Sequence, residues 1–197
     1  FFLSLDNQVY ADINSNKKLP AASSIKVPIL IVLLTMLDRE EIFWNEKLEL
    51  TEDVIGSGSG WMAYQEIGEK FPIFEVASEM IRVSDNTATN LLIRRIGGIN
   101  IINQKFKEIG LKNTQINNLL PDLNGTNITS TKDLSLGIAL VDNGYLLKIN
   151  SRDIFREIMG TSKTNTLIPS GLLKGLGKES KDTDYHLSLK GFSVLNK

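Results

Sequence analysis

From Val27 to Leu37 the chain is almost unbroken in its apolar character, and the run begins directly after Ser23-Ser24-Ile25-Lys26. No other segment restricts the fold so strongly. A helix that is apolar all round must be buried all round. A bilayer span needs about 20 apolar residues, and this run has 11. It therefore predicts a core helix, with no transmembrane segment. Pro28 narrows the start, because proline lacks an N–H and is tolerated only in the first turn of a helix. The helix must begin close to Ser23-Ser24, with a tight first turn and Ser23 at its N-terminal end.

Composition limits the chemistry. With 197 residues, 42% of them hydrophobic, the chain can bury one good core or two small, closely packed domains. The net charge of −1, with both signs interspersed, gives no footprint for nucleic acid or a membrane surface. There is no cysteine, hence no disulfide, thiol nucleophile or cysteine metal site. The single histidine, His186, argues against a zinc site and against a Ser-His-Asp triad. It sits in an alternating stretch, Asp182 to Gly191, and reads as an ordinary strand histidine. No cofactor and no metal are implied. The chain opens on Phe1 without an initiator Met or a charged leader, which reads as a mature or trimmed product.

The remaining elements follow from period and punctuation. Residues 1–13 read as two short strands around a turn at Asp6-Asn7. Gly56-Ser57-Gly58-Ser59-Gly60-Trp61 reads as a flexible loop; it lacks the lysine of a phosphate cradle. Phe74, Ala77, Met80 and Ile81 have helical spacing, and that helix stops at Ser84-Asp85-Asn86. A helix resumes over 87–96 and closes on Gly97-Gly98, and another ends at Gly110. Residues 117–127 are a turn-rich loop. Ser130 to Asp133 is a capping-box pattern opening a helix that ends at Asn143-Gly144. A short helix follows with Asn150 or Ser151 as its cap, and strand character returns toward the C-terminus. Strands at both ends with helices between predict an α+β fold.

Without cysteine, and with one histidine, a hydrolase here would most simply pair serine with lysine. Ser23-x-x-Lys26 offers that pair: residues three apart share a helix face. Desolvation beside the apolar helix would lower the lysine pKa toward that of a base. The helix N-terminus would favour an oxyanion forming at Ser23. The alternative is an N-cap serine followed by a snorkelling lysine. Ser15-x-x-Lys18 has the same spacing in a polar stretch and reads as a chance pair with solvated side chains. Ser84-Asp85-Asn86 falls between two helices. There a hydroxyl could relay a proton, and an amide such as Asn86 could hold both Lys26 and a substrate carbonyl. The same three residues are also good N-caps, and a capping turn is a rigid mount for a catalytic serine.

"SSIK" upstream and "SDN" downstream, within "LPAASSIKVPIL" and "MIRVSDNTATNLLIRRIGG", resemble the class A β-lactamases and penicillin-binding proteins. The resemblance runs in the same order over nearly the whole chain. It implies a β-lactamase/transpeptidase-like fold: an antiparallel sheet from both termini and an all-helical region between. Residues 1–22 and 162–197 would belong to the sheet region. Residues 23–161 would form the helical region, with the nucleophile helix, the Ser-Asp-Asn loop and a short omega-like loop. By the same resemblance Ser23 is the acylated nucleophile, its N–H is half of the oxyanion hole, and Lys26 assists proton transfer. Ser84 shuttles the proton to the leaving nitrogen, and Asn86 positions substrate. The implied partners are a peptidoglycan stem peptide or a β-lactam, in a periplasmic or extracytoplasmic setting.

Two departures sharpen the expectation. Where class A β-lactamases carry Glu-x-x-Leu-Asn, this chain reads Leu120-Pro121-Asp122-Leu123-Asn124. The glutamate that activates the deacylating water is replaced by Leu120, and Asp122 is the only carboxylate nearby. The pattern is therefore most similar to the penicillin-binding protein A group, whose members would hold β-lactams as long-lived acyl-enzymes and act on D-alanyl-D-alanine ends. A class A β-lactamase and a non-catalytic or truncated relative are the alternatives. The family's Lys-Thr-Gly strand is not found. Lys197, the last residue, is expected to be its lysine and to bind substrate, with Lys190-Gly191 a poorer match. Without that strand's oxyanion donor, which is worth about 2.7–4 kcal/mol, the chain alone is expected to be inactive or poorly folded.

Overall fold

The structure, a computed structural model, describes residues 1–162. The apolar run forms helix α1, Lys26–Asp38, entered through a 3₁₀ turn, Ala22–Ile25. From Pro28 to Met36 every residue of α1 is buried. Five further helices surround it: α2 (Ile73–Arg82), α3 (Asn86–Ile96), α4 (Ile99–Glu108), α5 (Thr131–Asp142) and α6 (Ile149–Gly160). α1 touches each of the five. It is the central helix because its sequence leaves no face for water, and the others supply the apolar stripes that enclose it.

The strands are short and antiparallel. β1 (Phe2–Leu3) pairs with β2 (Tyr10–Ala11), as the turn at Asp6-Asn7 predicts. β3 (Leu19–Pro20) pairs with β6 (Ile128–Thr129), which ties the entry to α1 to the segment before α5. β4 (Lys47–Glu49) pairs with β5 (Lys70–Pro72). The region expected to be all helical thus also holds three short strands, β4, β5 and β6. The expected C-terminal strands, His186 and Lys190-Gly191 lie outside the described residues.

Caps and turns follow the sequence with three corrections. Ser130 caps α5 by accepting from Asp133 N at 3.1 Å, and Gly97, at φ +116°, closes α3. α6, however, begins at Ile149, so neither Asn150 nor Ser151 caps it; Ser151 instead donates to Asp38 Oδ1 at 2.6 Å, pinning α6 to the end of α1. Phe74 does not belong to the buried stripe of α2. Ile73, Val76, Ala77 and Met80 take that face, and Phe74 stands 40% exposed, edge-on to Trp44. Ser15 is buried rather than solvated. Its turn is tucked under α5: Ser15 O accepts from Lys132 N at 3.2 Å, and Ser15 N donates to Asp12 Oδ1 at 3.0 Å. Lys18 is exposed, as expected.

Among the described residues no helix is long and apolar enough to cross a membrane, and no group of three His, Cys, Asp or Glu could hold a metal ion.

Candidate active site

Ser23 lies in the 3₁₀ turn that leads into α1, at the surface, while Lys26 one turn on is 2% exposed. The residue before Ser23, Ala22, has φ +44°, in the left-handed region that non-glycine residues avoid. Such strain persists only where the surroundings hold it. Ser24 turns inward and donates from Oγ to Ala21 O at 2.5 Å. Ser23 makes no capping bond, so the N-cap reading of this serine does not hold.

Facing this turn is the link between α2 and α3. Ser84 is also left-handed, at φ +58°. That twist presents two of its oxygens to the lysine. Lys26 Nζ donates to Ser84 O at 2.5 Å, to Ser84 Oγ at 2.8 Å and to Asn86 Oδ1 at 3.0 Å. Ser84 Oγ in turn donates to Ser23 Oγ at 3.0 Å. The structure thus brings together Ser23, Lys26, Ser84 and Asn86 in one hydrogen-bonded chain. The lysine reaches Ser23 through Ser84 rather than directly. Three acceptors satisfy the three donors of an ammonium, which is what allows a lysine to be buried at all. Burial pushes its pKa down from 10.5 to about 8, and the carboxylate of Asp85 pulls it the other way.

Asp85 carries more of this site than its reading as one of three possible caps suggests. It is fully buried and caps α3 by accepting from Ala88 N at 2.9 Å. Its other oxygen accepts from Trp61 N at 2.7 Å and Met62 N at 2.9 Å. Asn86 is held in the same way from outside: its Nδ2 donates to Ser57 O at 2.8 Å and its N to Ser59 O at 3.1 Å. The glycine-rich loop, read from sequence as a flexible connector, is therefore part of the frame. The only sequence signal was the density of glycine, which permits close backbone approach. Below the loop, Trp61 Nε1 and the Arg82 guanidinium both donate to Glu79, at 2.6 Å.

The 117–127 loop closes the other side. Asn90 on α3 grips the backbone of Leu120 twice: it accepts from Leu120 N at 2.8 Å and donates to Leu120 O at 2.7 Å. The Leu120–Pro121 peptide is cis. Leu120 belongs to the hydrophobic core, at 7% exposure. The Asp122 carboxylate accepts from Thr126 Oγ1 at 2.9 Å and Asn127 N at 2.6 Å, so it braces its own loop. Lys197 lies outside the described residues.

The sequence and the fold have counterparts among known proteins. The model of the beta-lactamase enzyme family matches residues 1–190. Beta-lactamase BRO-1 of Moraxella catarrhalis is 28% identical over 193 residues, covering 90% of this chain and 61% of that protein. The D-alanyl-D-alanine carboxypeptidase DacF of Bacillus subtilis is 30% identical over 110 residues, 53% of this chain and 28% of its own. The solved structure of PBP-A superposes with a TM-score of 0.83 at 41% identity, covering 86% of this chain and 64% of that one. A leucine-to-glutamate mutant of PBP-A, an acyl-enzyme complex with penicillin G, superposes equally well. The chain spans 61% to 64% of the length of BRO-1 and PBP-A. The β-lactamase/transpeptidase fold, the Ser-Lys-Ser-Asn chain of hydrogen bonds and the match over residues 1–190 lead to one conclusion: the chain belongs to the beta-lactamase enzyme family, a family of serine hydrolases.

Proposed function

We propose that the protein is a penicillin-interacting serine hydrolase of the D-alanyl-D-alanine carboxypeptidase type, acylated at Ser23. The observation that carries this reading is the relay Lys26 Nζ–Ser84 Oγ–Ser23 Oγ, at 2.8 Å and 3.0 Å. While Lys26 is an ammonium, both hydrogen bonds run from the lysine toward Ser23. Once the lysine is neutral, both reverse. Ser84 Oγ–H then donates to Nζ, and Ser23 Oγ–H donates to Ser84. In that state Ser23 Oγ attacks the substrate carbonyl carbon as its proton passes to Ser84 and the Ser84 proton passes to Lys26. The C–N bond breaks as Ser84 Oγ gives its proton to the leaving nitrogen and takes one back from the Lys26 ammonium, leaving the acyl group on Ser23 Oγ and the lysine neutral. Ser23 lies in the first helical turn, where N–H groups lack intrahelical partners, and its own N–H is suited to the developing oxyanion. Asn86, with Oδ1 on Lys26, gives one hydrogen of its amide nitrogen to Ser57 O, and the second is available to a substrate carbonyl.

Leu120 favours slow release. A leucine takes no proton from water, so the acyl-enzyme would persist with a β-lactam, while a wall peptide would be released through Lys26 or a network water. The natural substrate in this reading is the D-alanyl-D-alanine end of a peptidoglycan stem peptide, met outside the cytoplasm. The second reading, a β-lactamase with turnover, is favoured by the likeness to BRO-1 over 90% of the chain. Incubation of the full-length protein with fluorescent penicillin, followed by mass spectrometry, tests both. A lasting adduct on Ser23 is expected. No adduct sinks the acyl-enzyme reading, and steady nitrocefin turnover at tens per second moves the assignment to a β-lactamase.

A further inference from the structure

The glycine-rich loop meets the site through four hydrogen bonds and has no role in the relay just described. Ser57 O and Ser59 O hold Asn86 from its side chain and its backbone, and the amides of Trp61 and Met62 hold Asp85. Between Asp85 and Lys26 stands Ser84, in a backbone conformation that a serine does not adopt unaided. The two residues that follow it in sequence, Asp85 and Asn86, are therefore both fastened to the loop. The fit is close at one residue. A Cβ at Gly60 would lie 2.0 Å from Asp85 Oδ2 and 2.1 Å from Asp85 Cγ, whereas a Cβ at Gly58 would meet nothing nearer than Asn86 Nδ2 at 3.5 Å. Asp85 cannot yield by rotating outward. It is fully buried, and movement would release the α3 cap together with both loop amides.

We propose that residues 57–62 are a positioning strap that holds the Ser84–Asn86 turn in the strained shape presenting Ser84 to Lys26 and Ser23, with Gly60 the position that leaves room for the Asp85 side chain against the loop backbone. This rests on the acyl-enzyme reading for its kinetic consequence but not for its geometry. Gly58 and Gly60 form a matched pair. Both have left-handed backbones, φ +99° and +96°, so alanine is equally strained at either, and only at 60 does it collide with Asp85.

The test uses Gly58→Ala and Gly60→Ala in the full-length protein. The reversible binding constant and the acylation rate for fluorescent penicillin are measured separately, beside thermal melting. Gly60→Ala is expected to lower the acylation rate at least 30-fold while reversible binding changes less than threefold. Gly58→Ala, strained alike but without the collision, should lose at least tenfold less acylation rate than Gly60→Ala, although its melting temperature falls too. Equal acylation loss in the two variants, or a normal rate in Gly60→Ala, overturns the strap. If Gly60→Ala does not fold, Asp85→Ala replaces it; it leaves the Trp61 and Met62 amides without their acceptor, and with the rate read above the Lys26 midpoint, where the lost charge no longer changes the lysine, the same selective rate loss is expected, and a parental rate overturns the proposal. If the parent protein forms no adduct at all, the acyl-enzyme reading fails by itself. The strap is then judged by amide hydrogen exchange at Trp61, Met62 and Ala88. Protection lost in Gly60→Ala and kept in Gly58→Ala supports it, and protection kept in both overturns it.

Discussion

Lys26 should make the protein more stable as the solution becomes alkaline, and the size of the effect can be worked out. Burial lowers the lysine from 10.5 to about 8 in the folded protein. In the unfolded chain it keeps its ordinary value. Between those two values the unfolded state binds more protons than the folded one, so unfolding free energy rises with pH. The stability tied to this group is complete above the unfolded value and lost as pH falls through the folded one. A drop of roughly 2.5 at 1.36 kcal/mol per pH unit corresponds to about 3.4 kcal/mol in full. Of this, about 2.5 kcal/mol would appear between pH 7 and pH 10. Other groups titrate over that range, and the variant Lys26→Met subtracts them. Urea unfolding of both proteins at several pH values gives the difference curve. That curve is expected to climb by about 2–3 kcal/mol in favour of the lysine-containing protein, whatever its offset at pH 7. A flat difference curve refutes a buried lysine of depressed pKa, and with it the base assigned to the relay. The functional side of the same shift is large: near pH 7.4 about one lysine in five would be neutral, against fewer than about one in 1,000 at the ordinary value.

The acylation rate with fluorescent penicillin is expected to rise with pH and level off with a midpoint near 8, the value to which Lys26 is lowered; a rate independent of pH from 6 to about 9 would deny the lysine its role. Ser84→Ala removes the bridge between Lys26 and Ser23 and should slow acylation by roughly 10²-fold or more while leaving the adduct on Ser23, as read by stopped-flow labelling and peptide mapping. Leu120→Glu should shorten the lifetime of the penicilloyl adduct measured by mass spectrometry; an unchanged lifetime would show that residue 120 does not face the acyl group. Asp133→Ala deprives the partly buried Asn113 N–H of its acceptor, leaves the buried Thr114 hydroxyl only Thr129 as a partner, and removes a buried carboxylate from the first turn of α5. It should lower the unfolding free energy by roughly 2–4 kcal/mol in urea titrations.

The parts of the fold legible in the sequence are those set by local rules. α1 announces itself because eleven consecutive residues leave it no polar face. α3 ends at a glycine and α5 starts at a serine for the reasons such residues always serve. The candidate site was legible in two halves, since Ser23 and Lys26 belong to one helical turn and Ser84 and Asn86 flank one capping residue; only the resemblance to the class A β-lactamases and penicillin-binding proteins joined the halves. What the sequence did not disclose depends on contacts between distant segments. Phe74 has the right spacing for the core, yet Ile73 takes the inward position because the helix starts there. Ser15 looks solvated in a polar stretch, and is buried only because α5 lies over it. The strap was invisible for the same cause: a loop of glycine and serine has no period, and its partners lie some thirty residues on, at Asp85 and Asn86.

At Leu120 the position of the loop and the chemistry of the side chain are separate matters. The loop at Leu120 is positioned through its backbone. Asn90 holds the N–H and the carbonyl of Leu120, and Gly56 leaves room for that carbonyl, since a Cβ there would lie 2.5 Å from it. None of these contacts involves the leucine side chain. The main-chain path of the loop is therefore fixed by hydrogen bonds that any side chain at 120 would leave in place, while the leucine side chain adds its own packing in the core. A carboxylate in so buried a place would lose solvation, and its pKa would rise toward the range of a useful base. Leucine in the same place adds to the core and excludes water. In the proposed reading, acylation and deacylation would thus be set by different parts of the molecule. The first would depend on two strained residues, Ala22 and Ser84, being held around a desolvated lysine. The second would depend on the side chain at 120, on a loop whose main chain is secured by the hydrogen bonds of Asn90.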